Sequence, residues 1–513
     1  MLGYVYNNGV DMSTIILRSL IIFVLLLASA TAVVPQDDAP VNILTWIEDG
    51  ASPSDSSPST PGELGLMDGT GTFTVLQEVP PQTSRLLPCG EEGTSPDGSM
   101  LAFYVGLDAG SLYLMDGANT PVMIDDANAL TCLGGGTFQF SPDSGRLGYI
   151  AYESDATASE FADGFLHIVD TADTTNVTRF ENVISFDLSD TGAAFVSFYT
   201  NDRNEADEAA VFWWNGSTER EVATLRPDEN CRYTSASITA IDDENLILLL
   251  GHRCLSGDTR TSWQFYMVDV AARSATLAAS EFQDGQFASF ARTNQVMLLP
   301  DGSTALFTVP DGVTTNTASM MLVDLSDYAV TEIVDRQAVL PNLSGTNNVG
   351  PRVSTDGRWL AFVVTSPNND NMLNVLDLSN PTTPPIAVSA GSRNDVISDM
   401  AFSANGERLI FIAGSPDTGR NADNSLIAID LSSGSDFRIK RGRFAPGLAV
   451  SPDGTEVVAM DFQVLEDERQ PPYLNLVEIN VDTSETTLLF EGAEIVDGEV
   501  TNQQFALPLS WRP

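Results

Sequence analysis

Few residues in this sequence are of types that do acid–base or metal chemistry. Histidine occurs only at His167 and His252, and the single lysine is Lys440. Neither histidine has another metal-ligating residue at the spacing of known metal sites, and both fall on or beside predicted strands, which favours structural roles. No Gly-x-Ser-x-Gly turn, phosphate-binding loop or His-Glu-x-x-His pattern is present. The sequence therefore predicts no catalytic residues and no cofactor.

Two acidic loops contain oxygen ligands of the kind that calcium prefers. Asp370 lies in an Asn-Asn-Asp-Asn run, and Asp417 and Asp423 lie six residues apart in a second polar segment. Neither segment has the ligand order of a calcium-binding loop. A solvated loop is the favoured interpretation, with calcium binding retained as the alternative.

One basic cluster stands out against a strongly acidic background. The chain carries 70 acidic and 24 basic residues, for a formal net charge of −46, which argues against binding to nucleic acid or to an anionic membrane surface. Arg438, Lys440, Arg441 and Arg443 lie within six residues of one another. They are candidates for docking an anionic protein or glycan partner, and neutralisation by the protein's own acids is the alternative.

The four cysteines predict two disulfides and an oxidising compartment. Cys231 and Cys254 flank one predicted hairpin and fall almost opposite each other. Cys89 and Cys132 each precede the first strand of consecutive repeats. The alternative is four buried free thiols.

The elements that carry these residues are organised by a repeated turn. Ser451-Pro452-Asp453-Gly454 separates two apolar runs, and this order favours a tight hairpin with a left-handed glycine. Related turns end at glycines 98, 145, 192, 302, 357, 406 and 454, every 47 to 55 residues apart from one gap of 110. The gap contains one degenerate copy. A period of this size indicates a repeat architecture.

Each repeat predicts four antiparallel strands, because the hairpin is followed by a third apolar run, commonly ending in Asp, and by a fourth, more polar run. Four short strands per repeat form one blade of a β-propeller. The Ser-Pro-Asp-Gly-x-x-Leu-Ala-Phe pattern, seen at Ser95–Phe103, resembles the TolB-type, WD-repeat-like propeller family over nearly the whole chain after the first forty residues. The resemblance implies a propeller that binds proteins at the cell envelope, although no α/β domain of the kind TolB carries precedes it here.

The repeats predict an all-β fold made of one large propeller, with eight or nine four-stranded blades. Counting a blade shared by the two chain ends gives nine hairpin positions. Large and small residues alternate over Phe505–Trp511, and Pro508 marks an edge strand. We therefore expect this strand to pair with Asn42–Glu48 and to close the ring.

The N-terminal region has the layout of a secretory signal. Arg18 precedes an apolar run that ends in an Ala-x-Ala sequence near Ala32. The predicted organisation is a signal peptide over residues 1–32, with translation starting at Met1 or Met12, a leader over 33–40 and the propeller over 41–513. An uncleaved membrane anchor is the alternative, and either implies an extracytoplasmic location.

From these features the sequence predicts an exported, non-enzymatic and monomeric propeller that binds a protein or glycan partner. The alternative is a metal-dependent hydrolase or lyase that uses the mouth of the central channel.

Overall fold

A computed structural model of the chain describes most residues after Val41. The described residues are 42–49, 62–79, 86–87, 93, 95–97, 99–105, 111–116, 121–125, 138–151, 164–200, 206–254, 261–283, 296–299, 302–310, 317–339, 349–365, 371–381, 383–391, 395–417, 419–467, 470–496 and 498–512.

Nine four-stranded blades form a ring, as expected from the upper of the two predicted counts. The first blade contains Asn42–Asp49 (β1), Gly62–Asp68 (β2) and Phe73–Val79 (β3). The second contains Leu86–Leu87 (β4), Met100–Val105 (β5), Ser111–Asp116 (β6) and Val122–Asp125 (β7). The third contains Phe138–Phe140 (β8), Arg146–Ala151 (β9), Phe165–Asp170 (β10) and Val177–Phe180 (β11).

The next three blades follow in chain order. The fourth contains Val183–Leu188 (β12), Ala193–Thr200 (β13), Ala206–Trp214 (β14) and Glu219–Leu225 (β15). The fifth contains Cys231–Ala240 (β16), Asn245–Cys254 (β17), Thr261–Asp269 (β18) and Ser274–Gln283 (β19). The sixth contains Val296–Leu298 (β20), Thr304–Pro310 (β21), Thr317–Asp324 (β22) and Val330–Val339 (β23).

The last three blades complete the ring. The seventh contains Arg352–Val353 (β24), Trp359–Thr365 (β25), Asn371–Asp377 (β26) and Ile386–Ser389 (β27). The eighth contains Val396–Phe402 (β28), Arg408–Gly414 (β29), Asn424–Asp430 (β30) and Ser435–Gly442 (β31), with a 3-10 turn at Gly419–Asn421. The ninth contains Phe444–Val450 (β32), Glu456–Gln463 (β33), Tyr473–Asn480 (β34) and Thr486–Phe490 (β35), followed by a hairpin of Glu494–Val496 (β36) and Glu499–Thr501 (β37).

The first and last described strands pair in the first blade, as predicted. The last strand, Gln504–Arg512 (β38), lies beside β1 in the order β3-β2-β1-β38, so it is the innermost strand of that blade. The pairing runs from Asn42 opposite Arg512 to Asp49 opposite Gln504. Pro508 lies opposite Thr45, where the register shifts.

The Ser and Asp of the repeated turn hold it closed. In the ninth blade, Ser451 Oγ accepts a hydrogen bond from the Glu456 amide at 2.9 Å and donates one to Asp453 Oδ1 at 2.7 Å. Asp453 Oδ1 also accepts from the Thr455 amide at 3.0 Å. Equivalent Ser–Asp or Ser–Asn bonds occur in four other blades, at residues 95–97, 141–143, 354–356 and 403–405. The motif thus encodes the turn itself.

Replacing the turn glycine tests this assignment. Gly454 and Gly302 occupy the same turn position with φ of +73° and +66°, where a Cβ costs about 1–2 kcal/mol. A Cβ on Gly454 would also lie 3.0 Å from Ser403 Cβ, whereas nothing lies within 4 Å of one on Gly302. We expect Gly454→Ala to lower the free energy of unfolding more than Gly302→Ala does. Denaturant unfolding of both variants checks this, and equal losses would contradict it.

The cores lie between blades. Apolar side chains of the fourth and fifth blades, such as Val196 and Leu248, share one buried cluster.

Buried carboxylates also link neighbouring inner strands. Asp187 of β12 accepts hydrogen bonds from the Gln139 side chain and, at 2.6 Å, from the Ala240 amide, and burial raises its pKa to about 6. Asp399 of β28 accepts from the Gly447 amide of β32 at 2.8 Å.

A pair of glutamates gives the ninth blade a pH-dependent stability. Burial first, and then the charge of neighbouring Glu456, raise the pKa of Glu478 from 4.5 to about 7. A carboxyl whose pKa is raised by folding stabilises the fold fully below pH 4.5, and this contribution is lost as pH rises to about 7. We expect the free energy of unfolding to fall between pH 5 and pH 8, and Glu478→Gln to reduce the fall. An identical pH dependence in this variant would refute the assignment.

Candidate functional site

Acid–base side chains meet where the second and third blades pack together. Tyr149 of β9 and His167 of β10 lie directly opposite each other in the ladder, with their rings edge to face at a centroid distance of 5.1 Å. Asp125 is the last residue of β7, the outermost strand of the second blade. The cluster therefore combines two neighbouring strands of one blade with the end of a strand from another.

Hydrogen bonds connect the three side chains. Tyr149 Oη donates to Asp125 Oδ2 at 2.8 Å, and His167 Nδ1 lies 3.0 Å from Tyr149 Oη and 3.3 Å from Asp125 Oδ2. Burial, followed by the charge of Asp125, raises the pKa of Tyr149, so the phenol stays protonated. The side chains of His167 and Asp125 remain 19% and 11% exposed, which leaves the site within reach of solvent.

This geometry selects one form of the histidine. Because the phenol proton of Tyr149 points to Asp125, the groups that face His167 Nδ1 are oxygen acceptors, and Nδ1 carries the proton of the neutral ring. Nε2 is then the unprotonated nitrogen, and no described residue bonds to it. A neutral imidazole held this way by a carboxylate is the usual arrangement of a general base.

A cation lies on the same face of the third blade. Arg179 of β11 lies directly opposite His167, and its guanidinium carbon is 3.7 Å from the centroid of the Phe165 ring. Stacking on an aromatic ring holds a guanidinium in place while it keeps its charge and its planar row of donors. The site therefore contains a base, an orienting carboxylate and a positive charge.

The residues singled out in the sequence lie elsewhere. Cys231 and Cys254 form a disulfide, as predicted. Cys89, Cys132 and Asp370 lie outside the described residues, and Asp417 is exposed on the loop before the 3-10 turn. Asp423 Oδ2 pairs with Arg441 at 2.7 Å. This hydrogen bond, followed by the charges of Arg441, Arg443 and Arg438, lowers the pKa of Asp423. Calcium binding at Asp417 and Asp423 stays a prediction.

The basic cluster occupies β31 and the residue that follows it. Arg438, Arg441 and Arg443 are exposed, and Lys440 Nζ donates to Thr486 Oγ1 of the ninth blade at 2.6 Å. The protein's own acids therefore neutralise part of the cluster, through Asp423. Docking of a partner there stays a prediction.

Little in the sequence indicates the acid–base cluster. No second functional residue lies near His167 in the chain, which favours a structural role, and its carboxylate partner is 42 positions away. The one available signal was the hairpin register that places Tyr149 opposite His167. Only the packing of two blades brings in Asp125.

No metal site is formed by the residues that the structure describes. Among them, no three His, Cys, Asp or Glu side chains lie close enough together to hold an ion. Nor does any helix in these ranges have the length and apolarity needed to cross a membrane.

No protein-family model matches the sequence, and no curated protein matches it. Several solved structures are similar to this chain at low sequence identity. An oligogalacturonate lyase in complex with manganese is 14% identical with a TM-score of 0.42, covering 85% of this chain and 97% of its own. The oligogalacturonate lyase of Vibrio parahaemolyticus is 12% identical with a TM-score of 0.42, covering 87% and 100%. TolB from Acinetobacter baumannii is 14% identical with a TM-score of 0.26, covering 71% and 82%.

These neighbours correct two expectations. The prediction of a non-enzymatic scaffold was wrong, because structures with this fold include enzymes, the two lyases among them. The prediction of no cofactor apart from calcium was also wrong, because one of these lyases is a manganese complex. Among the described residues of this chain, no cluster of side chains fits such a metal.

Proposed function

We propose that the protein is a lyase that removes a proton from the carbon next to a carboxylate in an acidic sugar. The observation that carries this proposal is the hydrogen-bonded cluster of Asp125, Tyr149 and His167. Arg179, which lies opposite His167 on the neighbouring strand β11, supplies the positive charge that such a reaction needs beside the substrate carboxylate.

Each step follows from the roles of these side chains. Arg179 binds the substrate carboxylate and stabilises the negative charge that builds up when the adjacent carbon loses its proton. His167 Nε2 takes that proton, and the electron pair of the broken C–H bond becomes a carbon–carbon double bond as the C–O bond to the leaving sugar breaks. The imidazolium then returns its proton to the leaving oxygen, so the enzyme ends unchanged. Asp125 stabilises the imidazolium in between.

The net charge of −46 on this protein repels acidic oligosaccharides. Salt screens such repulsion beyond about 8 Å at physiological ionic strength, so the local guanidinium dominates at the site. Because two neighbours are named as oligogalacturonate lyases, short galacturonate oligomers are the first substrates to test.

The products distinguish elimination from hydrolysis. Elimination creates a double bond conjugated with the carboxylate, which absorbs ultraviolet light, whereas hydrolysis creates a new reducing end without that absorbance. We expect the purified protein to yield ultraviolet-absorbing products from galacturonate oligomers and none from neutral oligosaccharides of the same length. New reducing ends without absorbance would contradict the proposed reaction.

We further infer that the protein is a TolB-type repeat propeller that works outside the cytoplasm. The Cys231–Cys254 disulfide supports an oxidising compartment, and residues 1–32 have the pattern of an export signal. Oxidation of this pair in protein recovered from the medium or periplasm is the test, and reduced thiols there would contradict it.

A further inference from the structure

The second histidine lies in a different kind of polar cluster, in the fifth blade. Tyr233 and His252 are directly opposite each other on β16 and β17, and they are 0% and 8% exposed. Among the residues that the structure describes, none donates a hydrogen bond to, or accepts one from, Tyr233 Oη or His252 Nδ1. Four more buried atoms without partners lie on β16 and β18, in Thr234, Ser235, Ser237 and Trp263. No other blade has such a concentration among the described residues.

The disulfide lies close to this pair of residues on the same ladder. Cys231 is opposite Cys254, two positions along the ladder from Tyr233 and His252, and alternate residues of a strand point to the same face. The disulfide therefore lies at the strand ends on the same side of the sheet as Tyr233 and His252. Both cysteines are only partly buried, so the bond is within reach of a thiol.

Burying polar atoms without partners opposes closure of this strand end. Each such group loses its hydrogen bonds to water and gains none in the protein, so opening the end restores them. The disulfide opposes opening because it ties the two strands together where they would fray. The buried polar groups of the fifth blade therefore favour opening of the strand ends to water, and the Cys231–Cys254 disulfide opposes this opening.

We propose that Cys231–Cys254 is a redox-sensitive latch, which a dithiol opens to admit water to Tyr233 and His252. A thiolate of the dithiol attacks one sulfur and displaces the other cysteine as a thiolate, forming a mixed disulfide. The second thiol of the reagent then displaces the second cysteine. The protein gains two thiols, and the dithiol becomes a cyclic disulfide.

The two histidines make the opening measurable. Burial lowers the pKa of His252, and the charge of Asp228 offsets this only in part. Opening exposes the imidazole, so its pKa rises towards the ordinary value. His167 belongs to a different blade and serves as the internal reference. With two histidines in the chain, proton resonances of both rings are resolved by NMR, and His167→Gln assigns them.

The experiment compares the oxidised protein with the Cys231→Ser/Cys254→Ser double variant and with dithiothreitol-treated protein. We expect the His252 pKa to rise in both treated forms, whereas the ring resonances of His167 keep their positions. Amide exchange of residues 232–235 and 250–254 should quicken by about tenfold or more. Adding Tyr233→Phe to the double variant should reduce this acceleration, because one unpartnered group is then absent.

Two outcomes would overturn the latch. One is a His252 titration and exchange pattern that is the same in oxidised and reduced protein. The other is a change that spreads equally to His167, which would indicate general loosening of the ring. Because the double variant keeps Cys89 and Cys132, agreement between it and the reduced protein assigns the effect to this disulfide.

Discussion

Replacing His167 by glutamine is expected to lower kcat of the proposed elimination by about 100-fold or more, the usual scale for loss of a general base. Glutamine is close in size and polarity, so the contact with Tyr149 and Asp125 is largely kept while the basic nitrogen is lost. Kinetics on galacturonate oligomers measure the effect, and the melting temperature reports whether the blade is intact.

His252→Gln is the matched control, because it is the same substitution at the chain's second histidine. His252 is buried in the fifth blade and contacts neither Tyr149 nor Asp125, so kcat should stay near that of the unmodified protein. Equal losses of kcat in the two variants would show that the glutamine substitution acts by destabilising the protein. A His167→Gln protein with normal kcat would show that His167 is not the base.

Truncation after Gln503 is expected to unfold the protein, because it removes β38, which closes the ring. Without this strand, the hydrogen-bonding edge of β1 is open, and Ile43 and Leu44, both 0% exposed, lose cover. Leu507 packs on the cluster that joins the first and second blades, and it also approaches Gly447 of the ninth. Burial of each large apolar side chain is worth about 1.5–3 kcal/mol, against a total of about 5–15 kcal/mol for a domain.

The control for this truncation is removal of the β36–β37 hairpin. This hairpin is a separate two-stranded sheet, and the residues of β36 are exposed. Bridging residues 493 and 502 with a short loop should shift the melting temperature by only a few degrees. A truncated protein that melts like the full-length chain would show that β38 does not hold the ring together.

The fold was predictable from sequence because the residues of each turn motif determine the conformation of that turn. Ser451, Asp453 and Gly454 lie within four residues, and their hydrogen bonds and backbone angle need no distant partner. The closing strand was also predictable, since alternation and Pro508 define an inner edge. In the third blade the motif does not predict which residue of the turn is left-handed. Ser144, with φ of +61°, takes this position instead of Gly145.

The candidate site was not predictable because it depends on contacts between blades. Asp125 ends the outer strand of one blade, and Tyr149 and His167 belong to the middle strands of the next. Repeat periodicity fixes which residues face a neighbour, but it does not fix which side chain of that neighbour they meet. The unpartnered atoms around Tyr233 were hidden for the same reason.

The tautomer of His167 decides whether this residue can act as the base. Nitrogen-15 NMR distinguishes a protonated ring nitrogen from an unprotonated one, and the His252→Gln variant leaves a single histidine to observe. At a pH where the ring is neutral, we predict a proton on Nδ1, held towards Tyr149 and Asp125, and a bare Nε2. Asp125→Asn should weaken this preference. A proton on Nε2 in the unmodified cluster would contradict the proposed role of His167, because the unprotonated nitrogen would then be Nδ1, which faces Tyr149 and Asp125 and not a substrate.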